Sequence, residues 1–83
     1  MESLPSTQRR RVPNRKLQEL RINAGLSPNE LGYRAGISGK QVRLIETGVL
    51  PLPRTQFLVA QVFGLLPLDI WPLESQRKTR VSV

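Results

Sequence analysis

Two helix-start signals follow one another closely near the middle of this 83-residue chain. Residues 27–30 read Ser-Pro-Asn-Glu and residues 38–41 read Ser-Gly-Lys-Gln, so each serine stands three positions before a Glu or Gln. This spacing is the capping box, in which the two side chains accept hydrogen bonds from each other's backbone N–H groups. Gly36 and Gly48 follow where a left-handed residue ends a helix. The pattern predicts two short helices joined by a tight turn, which is typical of a helix-turn-helix and also of ordinary helical hairpins.

Three further helices are predicted around this pair. One covers residues 14–24, with Asn14 as its N-cap and Gly25 after its end, another covers 55–63, and a short one covers 67–71. The helical spacing of apolar residues also predicts a core, whose members are Leu17, Leu20, Leu31, Val42, Ile45, Phe57, Ala60 and Phe63, with Trp71 covering one end. The predicted fold class is therefore all-α, a compact bundle of five helices.

Positive charge is concentrated at the two ends of the chain. The net charge is +7, of which residues 1–16 carry +4, residues 17–73 carry +1 and residues 74–83 carry +2. Residues 1–13 and 74–83 are polar and basic with few apolar side chains, which predicts a flexible arm and a flexible tail around a domain at 14–73. A basic chain can bind nucleic acid, an anionic membrane surface or an acidic protein, so charge alone leaves the partner open.

The composition excludes several classes of function. The chain has no histidine and no cysteine, which excludes disulfides, zinc fingers and catalysis by imidazole or thiol, and we predict no metal ion and no cofactor. The few carboxylates form no clustered pair and no nucleophile–base spacing, which argues against an enzyme. No apolar stretch is long enough to span a membrane and no signal peptide is present, so we expect a cytoplasmic protein. We also predict no membrane partner and no small-molecule ligand.

Several motifs share one register with a known family. They are Leu-Arg at 20–21, Leu-Ser-Pro-Asn-Glu-Leu at 26–31, Ala-Gly-Ile-Ser at 35–38, Val at 42, Ile-Glu at 45–46, Gly at 48 and Phe-Gly at 63–64. From 17 to 73, without gaps, the chain resembles the phage-repressor (Cro and lambda-repressor, Xre-like) helix-turn-helix family. The resemblance implies the lambda-repressor-like bundle, with the helix-turn-helix at 27–48. It also implies a sequence-specific transcription regulator of double-stranded DNA.

The chain departs from the family pattern at two positions. The family usually has Gln where this chain has Pro28, which suits the first helical position but offers no side-chain hydrogen bond to a phosphate. The family commonly has Ala where this chain has Gly32, which lowers helix stability but lets two helices approach closely.

The recognition helix is expected at about residues 39–47. On a helical wheel, Val42 and Ile45 lie on the side that faces the core, and the polar residues lie on the opposite side, where the DNA would be. The residues predicted to contact bases are Gly39, Lys40, Gln41, Arg43 and Leu44. Lys and Arg donors suit guanine, Gln suits adenine, and Leu can touch a thymine methyl, whereas Gly39 has no side chain to contribute. The alternative is that Lys40 and Arg43 form only a solvated helix face.

A second set of residues is predicted to contact the DNA backbone. The resemblance places Arg34 and Arg54 at phosphate-contacting positions, Thr47 is a further candidate, and the arm adds Arg9, Arg10 and Arg11. Arg34 and Arg54 have an ordinary surface charge as their alternative. The arm arginines either enter the adjacent groove or wrap the duplex, or they supply attraction that does not depend on base sequence. The resemblance also implies a largely buried structural salt bridge between Arg21 and Glu46, whose loss would report on folding and not on DNA reading.

The loop at 49–53 is apolar where the family often has lysines. Val49, Leu50 and Leu52 stand between or beside prolines, and an apolar loop on a small domain can mark a contact surface. It either joins two subunits or docks another protein, or its leucines simply pack on the domain.

One recognition helix reads too few base pairs to select a single site in a genome, so a repressor acting as a homodimer on a palindromic operator is expected. The alternative is a protein-interaction module or antitoxin-like protein that uses this fold and loop to bind a partner.

Overall fold

The computed structural model describes residues 12–72 of the protein. In that range the chain forms five α-helices and no strand: α1 Arg15–Asn23, α2 Pro28–Ala35, α3 Gly39–Glu46, α4 Pro53–Val62 and α5 Pro67–Ile70. The all-α prediction is confirmed. Most of the predicted arm, with Arg9, Arg10 and Arg11, and the predicted tail at 74–83 lie outside the described residues.

Two capping boxes set the start of α2 and of α3. The Ser27 hydroxyl accepts from the Glu30 backbone N–H at 3.1 Å, and the Glu30 carboxylate accepts from the Ser27 N–H at 2.7 Å. Ser38 and Gln41 make the same pair of bonds at 3.0 and 3.2 Å. Gly36 ends α2 in the left-handed conformation, with φ of 85°. The bounds predicted for α2 from these signals are confirmed.

Helices α3 and α5 begin where predicted, and several of the remaining helix ends differ from their predicted positions by one or two residues. Asn14 caps α1 by accepting from the Leu17 N–H at 3.0 Å, as expected, but the helix stops at Asn23. Helix α4 begins at Pro53, two residues before the predicted start, because a proline at the first helical position lacks only an N–H that would have no helical partner. Helix α5 ends at Ile70, one residue earlier than predicted.

The core lies where α1, α2, α3 and α4 meet, and Ile70 and Trp71 cover it. Its buried apolar residues are Leu17, Leu26, Leu31, Ala35, Val42, Ile45, Val59, Ala60, Ile70 and Trp71. Two predicted members, Leu20 and Phe63, are only partly buried and pack against this cluster. One prediction is wrong: the Phe57 side chain is 53% exposed, whereas its neighbour Gln56 is 4% exposed.

Gln56 can be buried because its amide is paired. Its Nε2 donates to the Pro51 carbonyl oxygen at 2.9 Å, which satisfies the polar group inside and ties α4 to the preceding loop. With Gln56, Val59 and Ala60 facing inward at helical spacing, Phe57 falls on the outer side of α4.

Helices α2 and α3 pack closely because Gly32 stands at their contact. A Cβ added at Gly32 would lie 2.6 Å from the Ile37 carbonyl oxygen and 2.9 Å from the Ser38 carbonyl carbon. The missing side chain therefore lets α2 rest directly on the backbone of the turn that leads into α3.

Candidate nucleic-acid interface

Helix α3 buries one side and leaves the other free. Val42, Ile45 and Glu46 are buried, while Lys40, Gln41 and the other members of the opposite side are exposed. The exposed face carries the predicted base-contact residues Lys40, Gln41, Arg43 and Leu44, with Gly39 half-buried at its start. The structure thus brings these five residues together on the first six positions of one helix.

The polar groups of this face differ in how far they are already bonded. Gln41 uses its Oε1 to accept from the Ser38 N–H, so its Nε2 is the atom left to meet a ligand. Thr47 donates its hydroxyl to the Leu44 carbonyl oxygen at 2.6 Å. The side chains of Lys40 and Arg43 form no hydrogen bond or ion pair with any other residue of the described range. The face therefore carries two positively charged side chains, Lys40 and Arg43, that have no partner within the described range. Leu44 lies beside them and is 42% exposed.

The far end of α3 is held by α1. The Arg21 Nε donates to Glu46 Oε2 at 2.6 Å and its Nη2 donates to Glu46 Oε1 at 3.2 Å. Backbone and side-chain groups of α1 also reach the Glu46 carbonyl oxygen, from the Asn14 N–H at 2.9 Å and from Gln18 Nε2 at 3.4 Å. The recognition-helix candidate is thus fixed at both ends, by a capping box at its start and by these bonds at its end.

The predicted backbone-contact residues lie on separate elements. Arg34 is exposed near the end of α2 and lines a shallow depression with Leu58, Gln61 and Val62 of α4. Arg54 is exposed at the second residue of α4, and it has no ion pair with another residue between 12 and 72. Arg34 lies one helical turn after Glu30, and its positive charge helps to lower the pKa of the Glu30 carboxyl.

Glu30 shows the one clear electrostatic shift of the site. Its hydrogen bonds from Ser27, first from the backbone N–H and then from the side chain, lower the pKa of the Glu30 carboxyl below its ordinary value, and the Arg34 charge lowers it further. The ionised form is favoured because a carboxylate accepts these bonds better than a neutral carboxyl. The start of α2 is therefore stabilised by a charged capping box, and the start of α3 by the neutral box of Ser38 and Gln41.

The apolar loop splits into a packed part and an exposed part. Val49 and Leu50 are half-buried, and Leu50 packs against the core cluster. Leu52 points away from the domain and is 75% exposed. The interpretation of this loop as a contact surface therefore depends on Leu52 more than on the other two.

One contact at the start of α3 was not predicted from the sequence. The Asn29 side chain lies against Gly39, in the space that a side chain at position 39 would occupy. Residues ten positions apart on two different helices give no periodic signal, so only the three-dimensional packing of α2 on α3 shows this contact.

No group of His, Cys, Asp or Glu within residues 12–72 is arranged to hold a metal ion. Among the described helices, none has the length and apolar character needed to cross a membrane.

Comparison with known protein families gives a match to this chain. The model of the family described as "Helix-turn-helix domain" matches residues 15–62, which is more than half of the chain and covers α1 through α4. No curated protein and no solved structure matches the chain. The matched segment contains the paired capping boxes, the turn between α2 and α3 and the exposed cationic face. The chain belongs to the helix-turn-helix domain family, a class of DNA-binding domains.

Proposed function

We propose that this protein is a sequence-specific transcription regulator of the phage-repressor type, acting as a repressor on double-stranded DNA. The observation that carries the proposal is the outer face of α3, where the Lys40 and Arg43 side chains are exposed and bonded to no other described residue. A short helix with a free cationic face, braced at both ends, has the form of a helix that enters the major groove.

Each residue of this face has a chemical role in the proposal. Lys40 and Arg43 donate to guanine O6 and N7, and Gln41 uses its free Nε2 on a base-edge acceptor. Leu44, half-exposed on the same face, contacts the methyl group of a thymine. Gly39 contributes only its backbone.

Affinity comes mainly from contacts to the phosphates. Arg54 and Arg34 are the exposed cations of the described range assigned to this role, with Thr47 contributing at the end of α3. The arginines at 9–11 add attraction that does not depend on base sequence. These contacts position α3 on the duplex and carry no sequence information themselves.

A homodimer follows from the number of bases that one helix can read. Each mismatched base pair costs about 1–3 kcal/mol of binding free energy, which over one half-site is too little to distinguish one operator from roughly a million competing sites. Two copies on a palindrome, with half-sites about one helical turn apart, supply the missing discrimination. The proposed operator is therefore a short palindrome.

Selection of bound duplexes from a randomised DNA pool at near-physiological salt tests the proposal. We expect enrichment of a palindrome whose half-sites lie about one turn apart. The matched control is the double variant Lys40→Ala/Arg43→Ala, which keeps every described hydrogen bond and should fold normally but enrich no common sequence. Binding by the unaltered protein that enriches nothing and disappears as salt rises would overturn sequence-specific regulation.

A second candidate function is supported by the exposed Leu52. An antitoxin-like or other interaction module would use this fold to dock a protein partner through the loop at 49–53, since a leucine exposed to 75% on a small domain suits a buried contact. The two candidates predict different results. A partner-binding module loses binding to its protein partner on Leu52→Ser and keeps this binding on Lys40→Ala/Arg43→Ala.

A further inference from the structure

The first positions of α2 and α3 carry no side-chain hydrogen-bond donor, although Lys40 and Gln41 follow directly in α3. In the proposed function, the first residues of this helix lie nearest the DNA, because the N-terminal part of a recognition helix reaches the base edges. Gly39, the first residue of α3, has no side chain, and Pro28, the first residue of α2, has no donor. This end of the interface would contribute no side-chain hydrogen bond from either first position.

Asn29 lies in the resulting gap. Its Oδ1 occupies the space of a Cβ at Gly39, and its own Cα lies 3.1 Å from that Cβ position. The close approach is possible only because position 39 is a glycine. The Asn29 amide therefore lies where the Cβ of a side chain at position 39 would be.

This amide is available for a ligand. Asn29 is exposed, and its side chain makes no hydrogen bond with any residue of the range that the structure describes. The two neighbouring polar groups are already engaged in the capping boxes, Ser27 with Glu30 and Ser38 with Gln41. With Oδ1 turned toward Gly39, Nδ2 is left as a free donor at the surface.

We propose that Asn29 and Gly39 act as a pair in which the Asn29 Nδ2 supplies the DNA hydrogen bond missing from position 39. The inference rests on the proposed DNA-binding function and adds to it a contact residue on α2. The group that accepts is an oxygen or nitrogen of the DNA, either a phosphate oxygen or the base-edge acceptor of a purine.

Measurement of binding by Asn29→Ala to the operator selected above tests the contact. We expect about tenfold weaker binding with an unchanged melting temperature, since the side chain has no bond to lose within the described fold. Asn29→Asp should bind more weakly still, because a carboxylate has no donor and repels phosphate. Asn29→Gln, which keeps the donor, should recover part of the affinity. Operators substituted one base pair at a time distinguish the two acceptors: a base contact relaxes preference at one position of each half-site, and a phosphate contact weakens all operators equally.

The pairing with Gly39 is tested by combining variants. A Cβ in Gly39→Ala displaces the Asn29 amide, so this change should weaken binding about as much as Asn29→Ala in the unaltered protein. In the Asn29→Ala background the same change should weaken binding much less, because the amide is absent and only the contact with the Cα of residue 29 at 3.1 Å remains. An equal loss in both backgrounds, or affinity for Asn29→Ala equal to that of the unaltered protein, would overturn the inference while leaving the DNA-binding proposal intact. If the unaltered protein selects no operator, the proposed function fails first and this contact with it.

Discussion

Arg21 holds Glu46 through two parallel hydrogen bonds, from Nε to Oε2 at 2.6 Å and from Nη2 to Oε1 at 3.2 Å. The third nitrogen of the same guanidinium, Nη1, donates to the Leu26 carbonyl oxygen at 2.9 Å. One side chain on α1 thus ties the end of α3 to the segment that leads into α2. Both side chains are mostly buried, with 15% and 9% of their surface exposed.

Arg21→Met is therefore expected to destabilise the fold strongly. It leaves the Glu46 carboxylate unpaired in the interior, which costs about 3–5 kcal/mol when one partner of a buried pair is removed. Urea unfolding followed by circular dichroism measures this change in the free energy of unfolding.

The matched control is Arg21→Met combined with Glu46→Leu. Removing both charges should recover much of the lost stability, because neither group then remains buried without a partner. Arg21→Met with the stability of the unaltered protein would contradict a structural role for the pair.

Gly32→Ala is expected to lower stability, although alanine is the better helix former. The new Cβ would lie 2.6 Å from the Ile37 carbonyl oxygen, which is backbone and cannot rotate away. Overpacking of this kind costs about 1–3 kcal/mol, against a gain of about 1 kcal/mol from helix propensity. Thermal unfolding measures the balance, with Tyr33→Ala as control because that neighbouring side chain is 87% exposed. A stabilised Gly32→Ala would show that α2 does not rest on the turn.

The helix-turn-helix could be predicted from sequence because its signals are local. Ser27 and Ser38 each form a hydrogen bond with a residue three positions later, so four consecutive residues are enough to predict where each helix starts. The ion pair of Arg21 and Glu46 joins residues 25 positions apart and was expected only through the family resemblance.

The inner face of α4 could not be predicted in the same way. The sequence pattern predicts the aromatic Phe57 in the core and does not indicate that the polar Gln56 is buried, whereas Phe57 is exposed and Gln56 is buried. Gln56 is buried because the Pro51 carbonyl oxygen accepts from it, a bond that depends on how the loop folds back over α4. The contact of Asn29 with Gly39 also depends on tertiary packing, so neither residue type nor spacing reveals it.

The charged capping box predicts a pH dependence of stability. The pKa of Glu30 is lowered in the folded protein, first by the Ser27 backbone N–H. A lowered folded-state pKa adds stability that is present above the unfolded-state pKa of about 4.3 and is lost as the pH falls through the lowered value. Unfolding experiments from neutral pH down through this range should therefore show a larger loss for the unaltered protein than for Glu30→Gln.

The second capping box provides the reverse control. Gln41→Glu converts the neutral box at α3 into a charged one and should add a similar dependence at acid pH, because the new carboxylate accepts from the Ser38 N–H. Identical pH profiles for the unaltered protein and Glu30→Gln would show that the carboxylate charge contributes nothing at α2.

Arg43 and Arg54 should respond differently to substitution. Arg43→Ala removes a proposed base contact on α3, so we expect a loss of about 1–3 kcal/mol on the selected operator and a relaxed preference at one base pair. Arg54→Ala removes a proposed phosphate contact on α4 and should weaken binding to all sequences alike. It should also reduce the salt slope of log K by about 0.9 for one phosphate.

Titrations of both variants at several salt concentrations separate these roles. Arg43→Ala that weakens every sequence equally would move this residue from base reading to backbone contact. Arg54→Ala with an unchanged salt slope would remove α4 from the interface.

Leu52→Ser tests whether the exposed end of the loop joins two subunits. The side chain is 75% exposed in the single chain, so the substitution should leave the free energy of unfolding nearly unchanged. If Leu52 is buried between two copies, the dimer should dissociate at lower concentration, and binding to a palindrome should weaken more than binding to one half-site. Analytical ultracentrifugation over a concentration series measures the dissociation.

Leu50→Ser is the matched comparison, because Leu50 is half-buried and packs against the core. It should lower stability by about 1–3 kcal/mol through lost burial, whatever the oligomeric state. Only a variant at position 52 can therefore report on association without also reporting on folding. An unchanged dimer for Leu52→Ser would place the subunit contact elsewhere, and a monomeric unaltered protein that still selects a palindrome would mean that the two copies meet only on DNA.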